Sequence, residues 1–203
     1  MNILIAQPKL EKGITQLENA FLSHPSADLL IFPEGYLNNN LEAARELAKK
    51  HNKTIITGYK GPKDRAVIIG RNGQLLLNRA KYDPSPVVKV DGLRIGVILC
   101  DELVLQGISG LAGDKVDLIV HPIGVGMFSG EQFSEWVSEA KRIAASHQVM
   151  MIGTSHADGS FRNCSTSIPI AYCIDESGEE VFISKNDVRT RILNMETRAV
   201  SMI

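Results

Sequence analysis

The chain of 203 residues has a formal net charge of −1, with 44% hydrophobic and 22% charged residues, and reads as one ordinary globular domain spanning 1–203. Near-neutral charge with no basic cluster excludes nucleic acid as the main partner, and no apolar run approaches the roughly 18 residues of a membrane helix. Three cysteines, Cys100, Cys164 and Cys173, make an odd count without a CxxC pair. A reducing, cytoplasmic setting is the expectation, since the start "MNILIAQPKLEKG" has no signal-peptide pattern.

In chain order, "NILIAQ" reads as a first strand and Glu11 to Ser23 as an amphipathic helix. "DLLIF" (28–32) is a second strand, stopped by Pro33, and "LEAARELAKKH" (41–51) has helical spacing. "KTIITGY" (53–59) returns as a strand. "RAVIIG" and "QLLLNRAK" then flank Asn72-Gly73, a hairpin signal. "LRIGVIL" (93–99), "VDLIV" (116–120) and "VMMIG" (149–153) are apolar without alternation, as strands buried on both faces are. Between the last two, Glu131 to His147 is the clearest helix, and residues 163 to 188 predict two or three further strands around "DESGEE". The pattern is α/β with mixed strand directions.

Sites in such folds collect beyond the carboxyl ends of strands. Those ends carry Glu34, Lys81, Cys100, His121 and His156. A carboxylate, an ammonium and a thiol thus arrive from three separate strands. Cys100 is followed by two acids, Asp101 and Glu102, which oppose a thiolate. Lys81 could supply the missing positive charge, and Glu34 could take the thiol proton. From reference values that transfer is uphill by about four pKa units, on the order of 6 kcal/mol. The site is therefore expected to raise Glu34 by burial and to lower Cys100 through Lys81.

Other readings are blander. Cys164 and Cys173 are taken as packing residues, because free cysteine is commonly buried. His121 either lines the pocket or satisfies a backbone group, and no HxH, HExxH or CxxC spacing suggests a metal. "GVGMFSG" (124–130) is read as a pocket rim, and Phe133 and Trp136 as core or interface.

The segments "ADLLIFPEG", "GQLLLNRAKYD" and "LRIGVILCDE", in that order, resemble the three motif regions of the nitrilase superfamily of carbon–nitrogen hydrolases. "DLIVHPIG" and "WVSEAKRIAASHQVMMIGTS" resemble that family's later strand and its helix–strand unit. "CSTSIPIAYCIDESGEEV" falls at its late hairpin, with Cys164 where glycine is usual. The resemblance implies an α-β-β-α sandwich of the nitrilase type with mixed sheets. It also implies a small-molecule amide substrate, no cofactor, no metal, and a homodimer. An apolar face for pairing could come from "LVLQGISGLAG" (103–113) and the Trp136 helix.

The family mechanism implied is acyl transfer to Cys100 as nucleophile, with Glu34 as general base and Lys81 as oxyanion stabiliser. The Asp101 backbone N–H joins Lys81, and Ile123 and Gly124 are the other candidates for oxyanion or substrate binding. Family members often carry a second glutamate several residues after the lysine, whereas "KYDPSPVVKVDG" has none. Asp83 would share the face of Lys81 if the strand continued. The alternative expectation is a nitrilase-like protein that binds an amide or carboxylate ligand without turnover.

Overall fold

The computed structural model describes residues 1–112, 115–160 and 167–203. Its elements begin with β1 (Asn2–Ile5), α1 (Thr15–Ser23), β2 (Leu29–Ile31), α2 (Leu41–His51), β3 (Thr54–Tyr59), β4 (Arg65–Ile69) and β5 (Leu75–Ala80). They continue with β6 (Ser85–Pro86), β7 (Val88–Val90), β8 (Leu93–Val97), α3 (Glu102–Leu105), β9 (Leu111–Ala112), β10 (Leu118–Pro122) and α4 (Gly130–His147). β11 (Met150–Thr154), β12 (Ile170–Ile174), β13 (Glu180–Lys185), β14 (Arg191–Asn194) and β15 (Val200–Met202) follow.

Two mixed sheets dominate the described residues, with strand orders β15-β14-β1-β2-β3-β4-β5 and β13-β12-β11-β10-β8-β7. Each has three adjacent parallel strands, β1-β2-β3 in one and β8-β10-β11 in the other, flanked by antiparallel neighbours. The parallel strands are buried on both faces, which is why their sequences run apolar without alternation. Ile3, Ile5, Leu29 and Ile31 of the first sheet meet Ile95, Val97, Leu118, Val120 and Ile152 of the second. The intervening residues turn outward to helices. Leu4 and Leu30 pack with Leu17, Phe21, Ala44 and Ala48 of α1 and α2. On the other side Ile119 and Met151 pack with Phe133, Trp136, Ala140 and Ile143 of α4. The result is four layers, helix–sheet–sheet–helix.

Several expectations need correction. The first helix begins at Thr15 and not at Glu11, because Glu11 stays outside it as an acceptor for Gln16 N–H and Tyr36 Oη. Trp136 and Phe133 face the core, so α4 offers no pairing surface through them. In the 103–113 segment Val104 and Leu105 are exposed, while Gly113 lies outside the described residues. The late strands, expected to be two or three, agree with that expectation among the described residues up to Lys185, as β12 and β13. Cys164 lies outside those residues. No described helix is long and apolar enough to cross a membrane.

Candidate active site

Three loops leaving the strand ends converge where the two sheets face each other. Glu34 stands three residues beyond β2, on a turn pinned by the Thr57 hydroxyl donating to Pro33 O at 2.8 Å. Its backbone N–H donates to Ile123 O of the other sheet at 3.1 Å. Gly58 lets that turn come close, since a Cβ there would sit 2.8 Å from Gly35 N. Lys81 directly follows β5, and its N–H donates to Asp64 O at 2.7 Å. Cys100 closes the β8 segment, its N–H donating to Pro122 O at 2.9 Å. Its φ of +44° lies in the left-handed region, which a side chain adopts only at a cost of about 1–3 kcal/mol.

Lys81 Nζ lies 2.9 Å from Glu34 Oε1 and 2.8 Å from Asp101 Oδ1. The lysine side chain is only 14% exposed and that of Glu34 9%, so water screens this contact weakly. Tyr82 Oη donates to the other oxygen of Asp101 at 2.8 Å. The Cys100 thiol hydrogen-bonds Glu34, and the Gly124 backbone N–H points at its sulfur. The carboxylate, ammonium and thiol that the sequence delivers from separate strands are within reach of one another.

Burial pushes Glu34 above the usual carboxylate range, and Lys81 only partly offsets it. Lys81 itself moves up despite its burial, because Glu34, Cys100 and Asp101 all favour its charged form. The pair is asymmetric because the ammonium faces several anions or potential anions, whereas the carboxylate has a single cation. Asp101 is pushed up by burial but held below its ordinary value by Lys81 and Tyr82.

Lys81 pulls the Cys100 thiol down as expected, but not far enough to bring it below its ordinary value. Burial and the nearby Glu34 carboxylate push the thiol up to about 12, and Lys81 does not win. The resting site therefore holds a neutral thiol hydrogen-bonded to a carboxylate. Such a site can pass a proton to Glu34 as sulfur attacks, without storing a thiolate.

The remaining candidates divide. Gly124 reaches the sulfur through its N–H, and its carbonyl accepts from His156 N–H at 2.9 Å. Ile123 does not present a group to a substrate. Its side chain is in the core, its N–H donates to Thr154 O, and its carbonyl holds Glu34. The Asp101 carboxylate, not foreseen as a ligand of Lys81, also accepts its own backbone N–H. Asp83 does not share the face of Lys81, because β5 ends at Ala80 and Tyr82 turns left-handed at φ +69°.

Sequence reasoning missed the pair beneath the site. Arg79 donates to both oxygens of Glu102 at 2.7 and 2.6 Å, and Glu102 also accepts Tyr82 N–H and Leu99 N–H at 2.6 Å each. This carboxylate ties the Lys81 turn to the Cys100 turn. The one available signal was two opposite charges, each two residues from a site candidate.

No protein-family model matches the sequence, and no curated protein matches it. Solved structures do. A carbon-nitrogen hydrolase from Helicobacter pylori G27 has a TM-score of 0.75 at 14% identity, covering 98% of this chain and 90% of that one. An alanine-for-cysteine mutant of the amidase from Nesterenkonia sp. AN1, in complex with butyramide, has a TM-score of 0.82 at 13% identity over 98% and 92% of the two chains. The chain has the nitrilase-superfamily fold. A glutamine-for-glutamate mutant of the same amidase, with acrylamide added at its active-site cysteine, has a TM-score of 0.79 at 14% identity over 97% and 94%. In the nitrilase-type fold of this chain, Glu34, Lys81 and Cys100 sit together at the strand ends of the two facing sheets.

Proposed function

We propose that this protein is a carbon–nitrogen hydrolase acting on small non-peptide amides, as an amidase rather than a nitrilase. The observation that carries the reading is the meeting of Glu34, Lys81 and Cys100, with Lys81 2.9 Å from Glu34 and the thiol hydrogen-bonded to the same carboxylate. Butyramide in the similarly folded amidase supports a short aliphatic amide as the substrate class.

The geometry suits a stepwise acyl transfer. Cys100 Sγ attacks the amide carbon while its proton passes to Glu34, and the carbonyl π electrons move onto oxygen. Lys81 Nζ stabilises that oxyanion, and the Asp101 N–H joins it if it turns from its own carboxylate. Collapse breaks the C–N bond, the leaving amine takes the proton from Glu34, and a thioester remains on Cys100. Water then attacks the thioester, giving its proton to Glu34. Release of the carboxylic acid returns that proton to sulfur. Because Cys100 starts as a thiol, Glu34 is needed in both halves.

The test is incubation with a panel of short aliphatic amides, reading ammonia release and, by peptide mass mapping, the acylated cysteine. An acyl group on Cys100, and loss of ammonia release in Cys100→Ala, is the expected result. Release that survives Cys100→Ala overturns the reading. Iodoacetamide should also label Cys100 before Cys173, which is fully buried in the core between the sheets. Pairing of two copies across α3, where Val104 and Leu105 are exposed, belongs to the same proposal. Sedimentation as a dimer supports it, and a monomer at micromolar concentration refutes it.

A further inference from the structure

Neighbouring strands of the second sheet set a histidine and a tyrosine on either side of a glycine. His121 of β10 is in register with Gly153 of β11, and Gly153 with Tyr172 of β12. A Cβ at Gly153 would come within 2.5 Å of the Tyr172 ring, so only glycine leaves the gap through which the flanking side chains meet. His121 Nδ1 lies 2.6 Å from Tyr172 Oη, and His121 Nε2 lies 2.8 Å from the carbonyl oxygen of Cys100. Both side chains are fully buried. The mechanism above uses neither.

The partners decide where the histidine proton sits. The Cys100 carbonyl can only accept, so Nε2 must carry the hydrogen. In a neutral ring Nδ1 is then an acceptor, and the Tyr172 hydroxyl must donate to it. Burial keeps the ring neutral and moves its pKa down to about 4, against the nearby Glu102 and Asp101 carboxylates and together with Lys81. The chain of donors runs in one direction, from Tyr172 through His121 to the backbone of the candidate nucleophile. It ends on the peptide of the residue with φ +44°, whose carbonyl also accepts the Leu103 N–H at 3.2 Å.

We propose that Tyr172 and His121 are positioning residues, a neutral relay that holds the Cys100 carbonyl and so keeps the strained turn that aims the thiol at Glu34. This rests on the reading of Cys100 as the nucleophile. Loss of the relay should affect kcat more than KM, because the relay touches no substrate.

The experiment combines ¹⁵N-histidine NMR with three variants. In the wild-type protein His121, assigned by its loss in His121→Gln, should be the neutral Nε2–H tautomer between pH 6 and 8. An Nδ1–H tautomer or an imidazolium there overturns the proposal. Tyr172→Phe should keep the Nε2–H tautomer, since the Cys100 carbonyl still only accepts, but release the ring at Nδ1, lower kcat by up to about 100-fold at nearly constant KM, and slow alkylation of Cys100 in parallel. His121→Gln, whose amide can donate to the Cys100 carbonyl, should stay within about tenfold of wild type, and His121→Leu should fall further. Unchanged kcat and unchanged alkylation in Tyr172→Phe and His121→Leu also overturn it. If wild type turns over no amide, the functional reading fails, yet the tautomer and the Cys100 alkylation rates still decide the relay. If the variants do not fold, the wild-type tautomer decides alone.

Discussion

Glu34 and Glu102 are both buried glutamates close to a strand end, and both lie beside a cation, yet they are displaced in opposite directions. Glu102 accepts four N–H donors, two from Arg79 and one each from Tyr82 and Leu99, which fills the roughly four acceptor positions of a carboxylate. Burial would raise it, but those donors hold it below its ordinary value. Glu34 meets one ammonium and one thiol, and burial wins. A saturated carboxylate is a strut, because no lone pair is left to take a proton. An unsaturated one in the same kind of environment is a base. The difference between structure and chemistry is thus the number of donors supplied, not the residue type.

The strut should be the easier of the two to break. Arg79→Met leaves the Glu102 charge buried and unpaired, which costs about 3–5 kcal/mol. At about 2–4 °C per kcal/mol for a chain of this size, the melting temperature should fall on the order of 10 °C. Calorimetry checks this, and the double change Arg79→Met with Glu102→Met should recover most of the loss, since no lone charge remains. A single variant as stable as wild type would show that the pair holds nothing together.

Removing the base should spare the fold and damage the reaction. Glu34→Gln keeps the shape but cannot accept the thiol proton, so turnover should fall at least about 100-fold, some 2.7 kcal/mol. Lys81 retains Asp101 as a partner at 2.8 Å, and the melting temperature at neutral pH should hold or rise. Paired rate and melting measurements separate the outcomes. An active Glu34→Gln protein would move the base to another group.

The two carboxylates should also differ in sign with pH. Glu34, raised above 4.5, adds to stability below that value and loses its contribution as pH climbs through its folded pKa. Glu102, lowered below 4.5, adds to stability above that value and loses its contribution as pH drops through its folded pKa. Relative to wild type, Glu34→Gln should therefore gain with rising pH and Glu102→Gln should lose, as melting curves between pH 4 and 8 would show. Because Glu34 acts as a carboxylate, the acid limb of kcat/KM should lie above 4.5 and vanish in Glu34→Gln. A limb at or below 4.5 would contradict the burial of the base.

The smallest effect belongs to Asp83. It is exposed, beyond the strand and past the left-handed Tyr82, so Asp83→Asn should keep turnover within about twofold. A large loss would mean that the turn rearranges around substrate.

Local pattern made the parallel strands and two helices legible. α2 runs over Leu41–His51 as its spacing predicts, and α4 starts one residue before Glu131. The pair β14 and β15 was not legible. β14 contains Arg191, which is buried in a strand against an acceptor as distant as Gln7. Its partner β1 lies nearly the whole chain away, and no periodicity within a window can register such a pairing.

For the candidate site, the sequence by itself determined which chemical groups stand at the strand ends, because the strand patterns stop just before Glu34, Lys81 and Cys100. Only the tertiary structure decided the state of those groups. Whether Cys100 rests as thiol or thiolate depends on burial, on Glu34 and on Lys81 acting together, and these are balances of distance and desolvation. The same holds for Ile123, whose N–H, carbonyl and side chain are all spent on partners from β11, the Glu34 turn and the core against α4. Residue type sets what a group can do, and its neighbours in space set which of those things it does.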